Sequence, residues 1–248
     1  MAFLSRIFYK RSAFDAPLRP NTAFIVVGDI HGHAQALDDL LSAIDACSDV
    51  PSQLVFVGDY IDRGDGSAAV LRKLYELSHT HNAVCLMGNH EQMMLDFLQD
   101  PTGPAFQWLQ FGGLQTLASF DVFPVGGVLK VDRFPDLAEA LREKLGPELL
   151  AWLGQLPPLW HSGNVVVTHA ALDPEKEIDE QDPLSLLWGN PAFGRKCRKD
   201  GTWVVHGHTV VSEPTVKDGV ISIDTGAFAT GKLSAAIIGR DRLEFLHP

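Results

Sequence analysis

Five short apolar runs divide the chain, and polar or charged residues follow directly after each of them. The runs cover residues 23–28, 54–58, 84–88, 165–168 and 203–205. They are rich in β-branched residues and several end in glycine, which is typical of buried strands. Because residues just beyond the carboxyl end of such a strand lie at the ligand-binding edge of an α/β sheet, we expect the residues after these runs to share one site.

The segments between the first three runs have the spacing of amphipathic helices. Their apolar residues recur at separations of three, four and seven residues, as one face of a helix requires. They are Leu37, Leu40, Leu41 and Ile44 after the first run, and Val70, Leu71, Leu74 and Leu77 after the second. Alternating strands and helices predict βαβ units and therefore a largely parallel sheet.

The remaining organisation is uneven. Residues 1–21 are interpreted as an N-terminal tail that ends at Pro20-Asn21, and residues 22–248 as a single domain. Residues 92–160 carry no strong strand pattern, and 137–153 have the pattern of a helix, so we expect a mainly helical insert that overlooks the site. After Val165 the strands return with shorter spacing, which indicates a second sheet.

Composition narrows the function. The chain has 248 residues, 46% of them hydrophobic, enough for one domain with a substantial core. Its formal net charge of −11 argues against a protein that tracks a nucleic-acid backbone. Its three cysteines are odd in number and lack CxxC spacing, which favours reduced thiols in the cytoplasm. No run approaches the roughly 18 apolar residues of a membrane span. The sequence does not indicate an oligomeric state.

The residues that follow the runs are typical metal ligands. They are Asp29, His31, Asp59, Asn89, His169 and His208. Asp29 and His31 alternate along an extended segment, so both can turn toward one ion. Asp59 can bridge two ions because a carboxylate has two oxygens. Mixed nitrogen and oxygen ligation suits Mn, Fe or Zn better than Mg or Ca, and the sequence does not choose among these three metals.

The other residues of these segments fit catalysis. His90 follows Asn89 directly, and neighbours in an extended segment point apart, so His90 can face the substrate as a general acid. Asp62 can hold the imidazole of His90 in one tautomer. Arg63 offers a planar fork of donors that matches two phosphate oxygens. Two metals, an acid and an arginine together predict hydrolysis of a phosphoryl group.

The motifs closely resemble those of the phosphoprotein phosphatase branch of the calcineurin-like metallophosphoesterases. They stand here as Gly28-Asp29-Ile30-His31-Gly32, Gly58-Asp59-Tyr60-Ile61-Asp62-Arg63-Gly64 and Gly88-Asn89-His90-Glu91, followed by His169 and His208. The resemblance implies an α/β sandwich of two mixed β-sheets flanked by helices. It also implies that Asp29, His31 and Asp59 bind one metal, with Asp59, Asn89, His169 and His208 on the other. Manganese is the metal that the resemblance favours, with iron or zinc as alternatives.

Smaller matches resemble the bacterial and phage-lambda-type serine/threonine protein phosphatases. These are residues 89–94, Gly112-Gly113, Trp188 and residues 223–227. The resemblance implies a phosphomonoesterase acting on phosphorylated proteins or phosphorylated small molecules, by direct attack of a water shared between the metals. Arg63, Asn89 and His90 would then contact the substrate. The same motifs occur in symmetrical dinucleoside tetraphosphate hydrolases, and a binding relative of low activity is a third alternative.

Two positions depart from that subgroup. An arginine that contacts phosphate usually stands one or two places after the tryptophan matching Trp188, but here Gly189-Asn190-Pro191 follows and the next arginine is Arg195. Phe111 stands where asparagine is common. Either Arg195, Lys196 or Arg198 replaces the missing contact, or phosphate binding depends chiefly on Arg63.

Three further polar residues in these motifs are expected to be structural. Glu91 would orient Arg63 or nearby backbone. His206 would have a structural role at the end of its strand, and Asp224 would stabilise the turn that follows its own strand.

Overall fold

Two mixed β-sheets packed face to face form the centre of the computed structural model, which describes residues 3–6, 14–47 and 51–247. The first sheet contains, in spatial order, β1 (Phe3–Arg6), β11 (Arg242–His247), β10 (Ala235–Gly239), β2 (Phe24–Val27), β3 (Leu54–Phe56) and β4 (Val84–Cys85). The second contains β5 (Leu159–Ser162), β6 (Val165–Thr168), β7 (Trp203–His206), β9 (Val220–Ser222) and β8 (Thr215–Lys217).

Helices flank the sheets. They are α1 (Ala34–Asp45), α2 (Ser67–Thr80), α3 (Asn89–Gln99), α4 (Gly113–Ser119), α5 (Phe134–Leu153), α6 (Pro183–Trp188) and α7 (Ala227–Thr230). Short 3₁₀ helices cover Pro104–Phe111, Val125–Gly127, Val131–Arg133 and Ile178–Glu180. In the described part of the chain, no helix is both long enough and apolar enough to cross a bilayer.

The pairing of the strands confirms the predicted fold class. β2, β3 and β4 are parallel, with Ile25 opposite Leu54 and Val55 opposite Val84, while β10 and β11 add antiparallel pairs. In the second sheet β6, β7 and β9 are parallel, and β5 and β8 are antiparallel to their neighbours. The carboxyl ends of the parallel strands in each sheet therefore lie at one edge of that sheet.

The apolar runs are continuous because both faces of the first sheet are buried. Ile25 and Val27 pack under the helices α1 and α2, whereas Phe24 and Val26 pack between the two sheets. This alternation along β2 follows from the two-residue period of a strand. The predicted helical faces are also buried: Leu37 and Leu40 on α1 and Leu71 on α2 are at most 1% exposed.

The N-terminal segment that the sequence predicted as a tail, residues 1–21, contributes described contacts to the sheets, and the domain boundary itself stays a prediction. Residues 3–6 pair with β11 as an edge strand, and Leu18 is buried in the cluster between the sheets. The side chain of Asn164 fixes the segment, since its Oδ1 accepts a hydrogen bond from the Arg19 N–H (2.8 Å) and its Nδ2 donates to the Pro17 carbonyl (2.9 Å). A single buried leucine between prolines gives no periodic signal, so the sequence did not reveal this contact.

The predicted helical insert, residues 92–160, contains only helical elements until β5 begins at Leu159. Its longest helix, α5, is interrupted at Gly146-Pro147, where Gly146 has φ 76°. Aromatic rings join its parts: the Phe97 and Trp108 rings are 5.2 Å apart and the Phe106 and Phe134 rings 5.9 Å. The insert thereby places Trp108 and α4 beside the loop that follows β3.

Candidate metal centre

The structure brings the six predicted ligands together at the ends of strands from both sheets. Asp29 and His31 follow β2, Asp59 follows β3, and Asn89 begins α3 just after β4. From the second sheet, His169 follows β6 and His208 follows β7. All are buried except His208, which is half-buried. Such a constellation of inward-facing carboxylate, amide and imidazole groups is typical of a metal site.

Asp59 lies between two groups of ligand atoms. Its Oδ2 is 3.4 Å from Nε2 of His31, and its Oδ1 is 3.4 Å from Nε2 of His169. One group that could hold a metal ion consists of His31, Asp59 and His90, and the other of Asp59, His169 and His208. The two oxygens of Asp59 thus face different histidines, which is the arrangement that a bridging carboxylate needs.

Asn89 belongs to the second group. Its Oδ1 is 2.8 Å from Nε2 of His169 and 3.0 Å from Nδ1 of His208. An amide oxygen and two imidazole nitrogens therefore converge beside Oδ1 of Asp59. This donor set fits a first-row transition metal or zinc.

Hydrogen bonds and burial prepare the histidines for ligation. Nδ1 of His31 is 2.9 Å from the Ile61 carbonyl and Nδ1 of His169 is 3.1 Å from the Val57 carbonyl, so in each ring Nδ1–H donates and Nε2 keeps its lone pair. Burial lowers the pKa of His31 to about 3 and that of His169 to about 4. Both rings are therefore neutral near pH 7, the form that binds metal.

Asp29 has the environment of a carboxylate that lacks a cation. Its Oδ2 accepts a hydrogen bond from the His208 N–H (2.9 Å), but its Oδ1 is buried and has no hydrogen-bond partner among the described residues. Burial, followed by the charges of Asp224 and Asp59, raises the pKa of Asp29 well above its usual range. Positive charge at this position would offset both the orphaned oxygen and the crowded carboxylates. The residues present therefore fit a cationic centre.

The ring of His90 is hydrogen-bonded to the buried carboxylate of Asp62. Its Nδ1 is 2.6 Å from Oδ2 of Asp62. Asp62 also accepts hydrogen bonds from Nε1 of Trp108 (2.8 Å) and Oγ1 of Thr116 (2.6 Å). Nε2 of His90 consequently faces the site, 3.8 Å from Oδ2 of Asp59.

These contacts favour a protonated His90. Burial lowers its pKa, but the charge of Asp59 and the hydrogen bond that Nδ1–H of His90 donates to Asp62 outweigh that effect, so the pKa lies above its usual value. Burial also raises the pKa of Asp62, yet its two oxygens face three donors, so the shared proton resides on His90. An imidazolium whose Nε2–H points into the site is suited to protonate a leaving oxygen.

Arg63 stands at the rim of the site. Its Nη2 is 3.3 Å from Nε2 of His90, and its guanidinium lies 4.2 Å from the centre of the Phe228 ring. The same ring packs edge-on against His31, with centroids 5.5 Å apart. The Phe228 ring thus contacts one face of the Arg63 guanidinium by a cation–π interaction. The N–H donors of the guanidinium, which lie in its plane, stay available to an anion.

Glu91 is the fully buried residue that ties two strand-end loops together. Its Oε1 accepts from the N–H groups of Tyr60 (2.8 Å) and Ile61 (3.2 Å), and its Oε2 from those of Asp59 (2.9 Å) and Gly88 (3.2 Å). Burial and the charge of Asp59 raise the pKa of Glu91 to about 8. All four of its partners are donors, however, so the carboxylate is the form that satisfies them.

Backbone strain is concentrated in the same loops. Residues with positive φ are His31 (47°), Asp59 (54°), Asp62 (72°), Arg63 (69°) and His208 (61°). Residues other than glycine rarely adopt this left-handed conformation. Such strain persists only where surrounding contacts impose it. Close approach also requires Gly88, where a Cβ would lie 2.2 Å from the Asp59 nitrogen.

Arg195, the tentative phosphate contact, is exposed, and among the described residues its hydrogen bond is a backbone one to Ala192. Lys196 pairs with Glu175 (2.8 Å), and Arg198 donates to the Asp173 carbonyl (2.9 Å). The part of the chain that the structure describes therefore shows no contact between these side chains and the site. The role of Arg195 stays a prediction.

The loop after Trp188 has a conformation of its own at the positions where the arginine is expected. Gly189 has φ 100° and ψ 169°, a conformation that disfavours any side chain. Asn190 is engaged within the loop, since its Oδ1 accepts from the Ala192 N–H (2.9 Å) and its Nδ2 donates to Oγ of Ser185 (3.3 Å). The conformation of this loop is therefore fixed by its own backbone and side-chain contacts.

Sequence reasoning missed Trp108, Thr116 and Phe228. The first two come from the insert and lie 46 and 54 positions from Asp62 along the chain. Their only signal was a tryptophan and a threonine on either side of Gly112-Gly113. Phe228 follows the matched segment 223–227 directly, and nothing in its spacing indicated a contact with Arg63.

The model of the calcineurin-like phosphoesterase family matches residues 22–212. A curated relative from Oceanobacillus iheyensis, bis(5'-nucleosyl)-tetraphosphatase PrpE [asymmetrical], is 26% identical over 234 residues, covering 85% of this chain and 86% of its own. A solved structure described as a candidate diadenosine tetraphosphatase superimposes with TM-score 0.61 at 23% identity, covering 94% and 98% of the two chains. A cold-active protein-tyrosine phosphatase of a psychrophilic Shewanella has TM-score 0.60 at 16% identity, covering 92% and 83%. These solved structures share the fold.

Replacing the predicted acid tests its role. His90→Asn is expected to lower kcat by about 10²- to 10⁴-fold for an alkyl phosphate, the span for a lost general acid, and by much less for p-nitrophenyl phosphate, whose leaving group needs no proton. Bound Mn²⁺, measured by elemental analysis, should be unchanged. His79→Asn, on the exposed surface of α2, is the control. Loss of metal in His90→Asn would instead make His90 a ligand.

The partner of His90 sets a pH limit. Asp62→Asn removes the negative charge that stabilises the imidazolium, so the pKa of His90 falls and the alkaline limb of kcat/KM moves to lower pH. Profiles with a poor leaving group measure the shift. Asp65→Asn removes one charge from the same loop and should leave the limb in place. An unmoved limb in Asp62→Asn contradicts the assignment.

The structural role of the buried Glu91 carboxylate can be tested without an activity assay. Glu91→Gln turns two acceptor positions into a donor that faces backbone N–H groups, and should reduce the free energy of unfolding by about 3 kcal/mol. Denaturant titration measures this change. Glu148→Gln, at an exposed position of α5, should have little effect. Equal stability of both variants would show that Glu91 does not fix the loops.

Proposed function

We propose that this chain, which belongs to the calcineurin-like phosphoesterase family, hydrolyses dinucleoside tetraphosphates at a dinuclear metal centre. Its family and the phosphoester-hydrolysing character of its relatives are established by the match over residues 22–212. The substrate is the step beyond them. The first expectation from the sequence was a serine/threonine protein phosphatase, with a dinucleoside tetraphosphate hydrolase as the alternative, and the curated relatives favour the alternative.

The observation that carries this choice is the shortage of positive side chains at the site among the residues that the structure describes. Arg63 is the arginine whose guanidinium reaches His90, while Lys196 and Arg198 are engaged elsewhere. A phosphomonoester carries about −1.5 to −2 at pH 7. An internal phosphate of a dinucleoside tetraphosphate carries about one negative charge, as a phosphodiester does. A single arginine beside the metals suits the less charged group.

The proposed division of labour follows the geometry. Asp29, His31 and Asp59 would hold one metal, and Asp59, Asn89, His169 and His208 the other. When bound, such a pair activates water and stabilises the charge that develops on phosphate oxygens. Arg63 orients the phosphate through two parallel hydrogen bonds, and Asn89 and His90 line the same pocket. His90 gives the proton on its Nε2 to the leaving phosphate oxygen, while Asp62 keeps the ring in place.

The position of cleavage is part of the proposal. The curated relative from Oceanobacillus iheyensis is an asymmetrical hydrolase by name, and the alternative first expected from the sequence was symmetrical. We favour asymmetrical cleavage, in which the four phosphates are divided unequally between the two products. The metal would be manganese, iron or zinc, all compatible with the mixed donor set. The subgroup resemblance to lambda-type phosphatases, the cytoplasmic location and the lack of nucleic-acid partners remain predictions.

Turnover of matched substrates tests the proposal. With excess Mn²⁺, kcat/KM for diadenosine tetraphosphate should exceed that for a phosphoserine peptide by at least about 10-fold, a difference of about 1.4 kcal/mol in transition-state stabilisation. Chromatography of the products should show adenosine mono- and triphosphate. Adenosine diphosphate as the sole product would indicate symmetrical cleavage. Faster turnover of the phosphopeptide would restore the protein phosphatase.

A further inference from the structure

Two exposed aromatic residues adjoin elements of the candidate metal centre. Trp188 is 47% exposed and Phe111 is 53% exposed, although aromatic rings of this size normally bury most of their surface. Trp108 and Trp203 are at most 6% exposed, and Trp152 and Trp160 are half-buried. An aromatic ring left in solvent beside a site is more informative than one exposed elsewhere on the surface.

Trp188 lies on the side of the site that the second sheet provides. It is the last residue of α6, and its ring is perpendicular to that of the predicted ligand His208, with centroids 6.5 Å apart. The turn at Gly189 then carries the main chain away from the tryptophan. Its indole therefore remains accessible directly beside the second group of ligands.

Phe111 lies on the side that the insert provides. It ends the 3₁₀ helix Pro104–Phe111. The next residue, Gly112, lies so close to the loop after β3 that a Cβ there would be 2.6 Å from the Arg63 nitrogen. Phe111 thus adjoins the loop that presents Arg63. The subgroup resemblance has a polar asparagine at this position, so the aromatic ring is a property of this chain.

We infer that Trp188 and Phe111 are the stacking surfaces for the two nucleobases of the substrate, one beside each end of the phosphate chain. This inference rests on the proposed function. Every nucleobase has a π-face, and an exposed aromatic ring binds it with little dependence on the base. The stacking contacts supply the substrate affinity that an additional arginine would supply in a monoesterase. They therefore determine specificity, and neither residue takes part in the chemical step.

Phosphate compounds with and without a base separate stacking from phosphate binding. Inhibition constants are measured against p-nitrophenyl phosphate turnover, with Mn²⁺ in excess over all phosphates, for adenosine triphosphate and for inorganic tripolyphosphate. In the wild-type protein the nucleotide should bind about 10-fold or more tightly than tripolyphosphate. Trp188→Ala, Phe111→Ala or both should remove this preference and leave the inhibition constant of tripolyphosphate unchanged.

The dinucleotide itself gives the second measurement. Each single variant should raise KM for diadenosine tetraphosphate by about 10- to 100-fold with little change in kcat, and Trp188→Phe and Phe111→Trp should restore most of the affinity. Leu184→Ala and Phe123→Ala are the controls. Leu184 is 67% exposed one turn earlier on α6, and Phe123 is 63% exposed near the C-terminal end of α4, outside the described site contacts.

The outcomes distinguish this inference from the proposed function. If the wild-type protein does not hydrolyse diadenosine tetraphosphate, the proposed function fails. If it does, and both alanine variants keep the wild-type KM and the preference for the nucleotide, the stacking role alone is refuted. A rise in KM for a phosphopeptide, with unchanged inhibition by adenosine triphosphate, would assign the two rings to peptide binding and also overturn the inference.

Discussion

The hydrogen bonds that Glu91 collects are the constraint on which the site depends. Two loops that follow neighbouring parallel strands must approach so closely that only glycine fits at position 88, and one of them must hold Asp59 in the left-handed region. A buried carboxylate that accepts four backbone N–H groups offsets the cost of this conformation. Asp59 then presents its two oxygens to opposite sides. The His90 N–H, which donates to Oδ1 of Asp59 (3.1 Å), adds a direct restraint on the Asp59 side chain.

His90, the proposed proton donor, is positioned by a separate part of the molecule. Asp62 receives hydrogen bonds from Trp108 and Thr116, which belong to the 3₁₀ helix and the helix α4 of the insert. These contacts exclude water from the far side of His90 and leave its Nε2 facing the ligands. The insert therefore does more than flank the site, because its residues Trp108 and Thr116 help to orient His90 through Asp62. Ligand geometry and acid geometry are thus fixed by different elements.

Much of this arrangement follows from local sequence. The strands, the helices α1 and α2 and the convergence of Asp29, Asp59 and Asn89 are dictated by short apolar runs with polar residues at their ends, a pattern that needs no distant partner. Contacts that depend on distant segments were not predictable. Leu18 is buried between the sheets because Asn164 secures its neighbours, and the support of Asp62 by Trp108 depends on how the insert folds back. The conformation of Gly189 also emerges only in three dimensions, because a glycine in the sequence does not specify its φ.

One hydrogen bond, from the His208 N–H to Asp29, joins residues 179 positions apart. The first ligand emerges early from the ribosome, whereas the last is made when four-fifths of the chain has been synthesised. β10, which pairs with β2 beside Asp29, is made later still. During synthesis the early carboxylates have no completed site to enter, so with the proposed ligands metal binding would be a late event that accompanies closure of both sheets. A chain that ends before His208 would lack one of the proposed ligands, so loading with metal would report on the completeness of the fold.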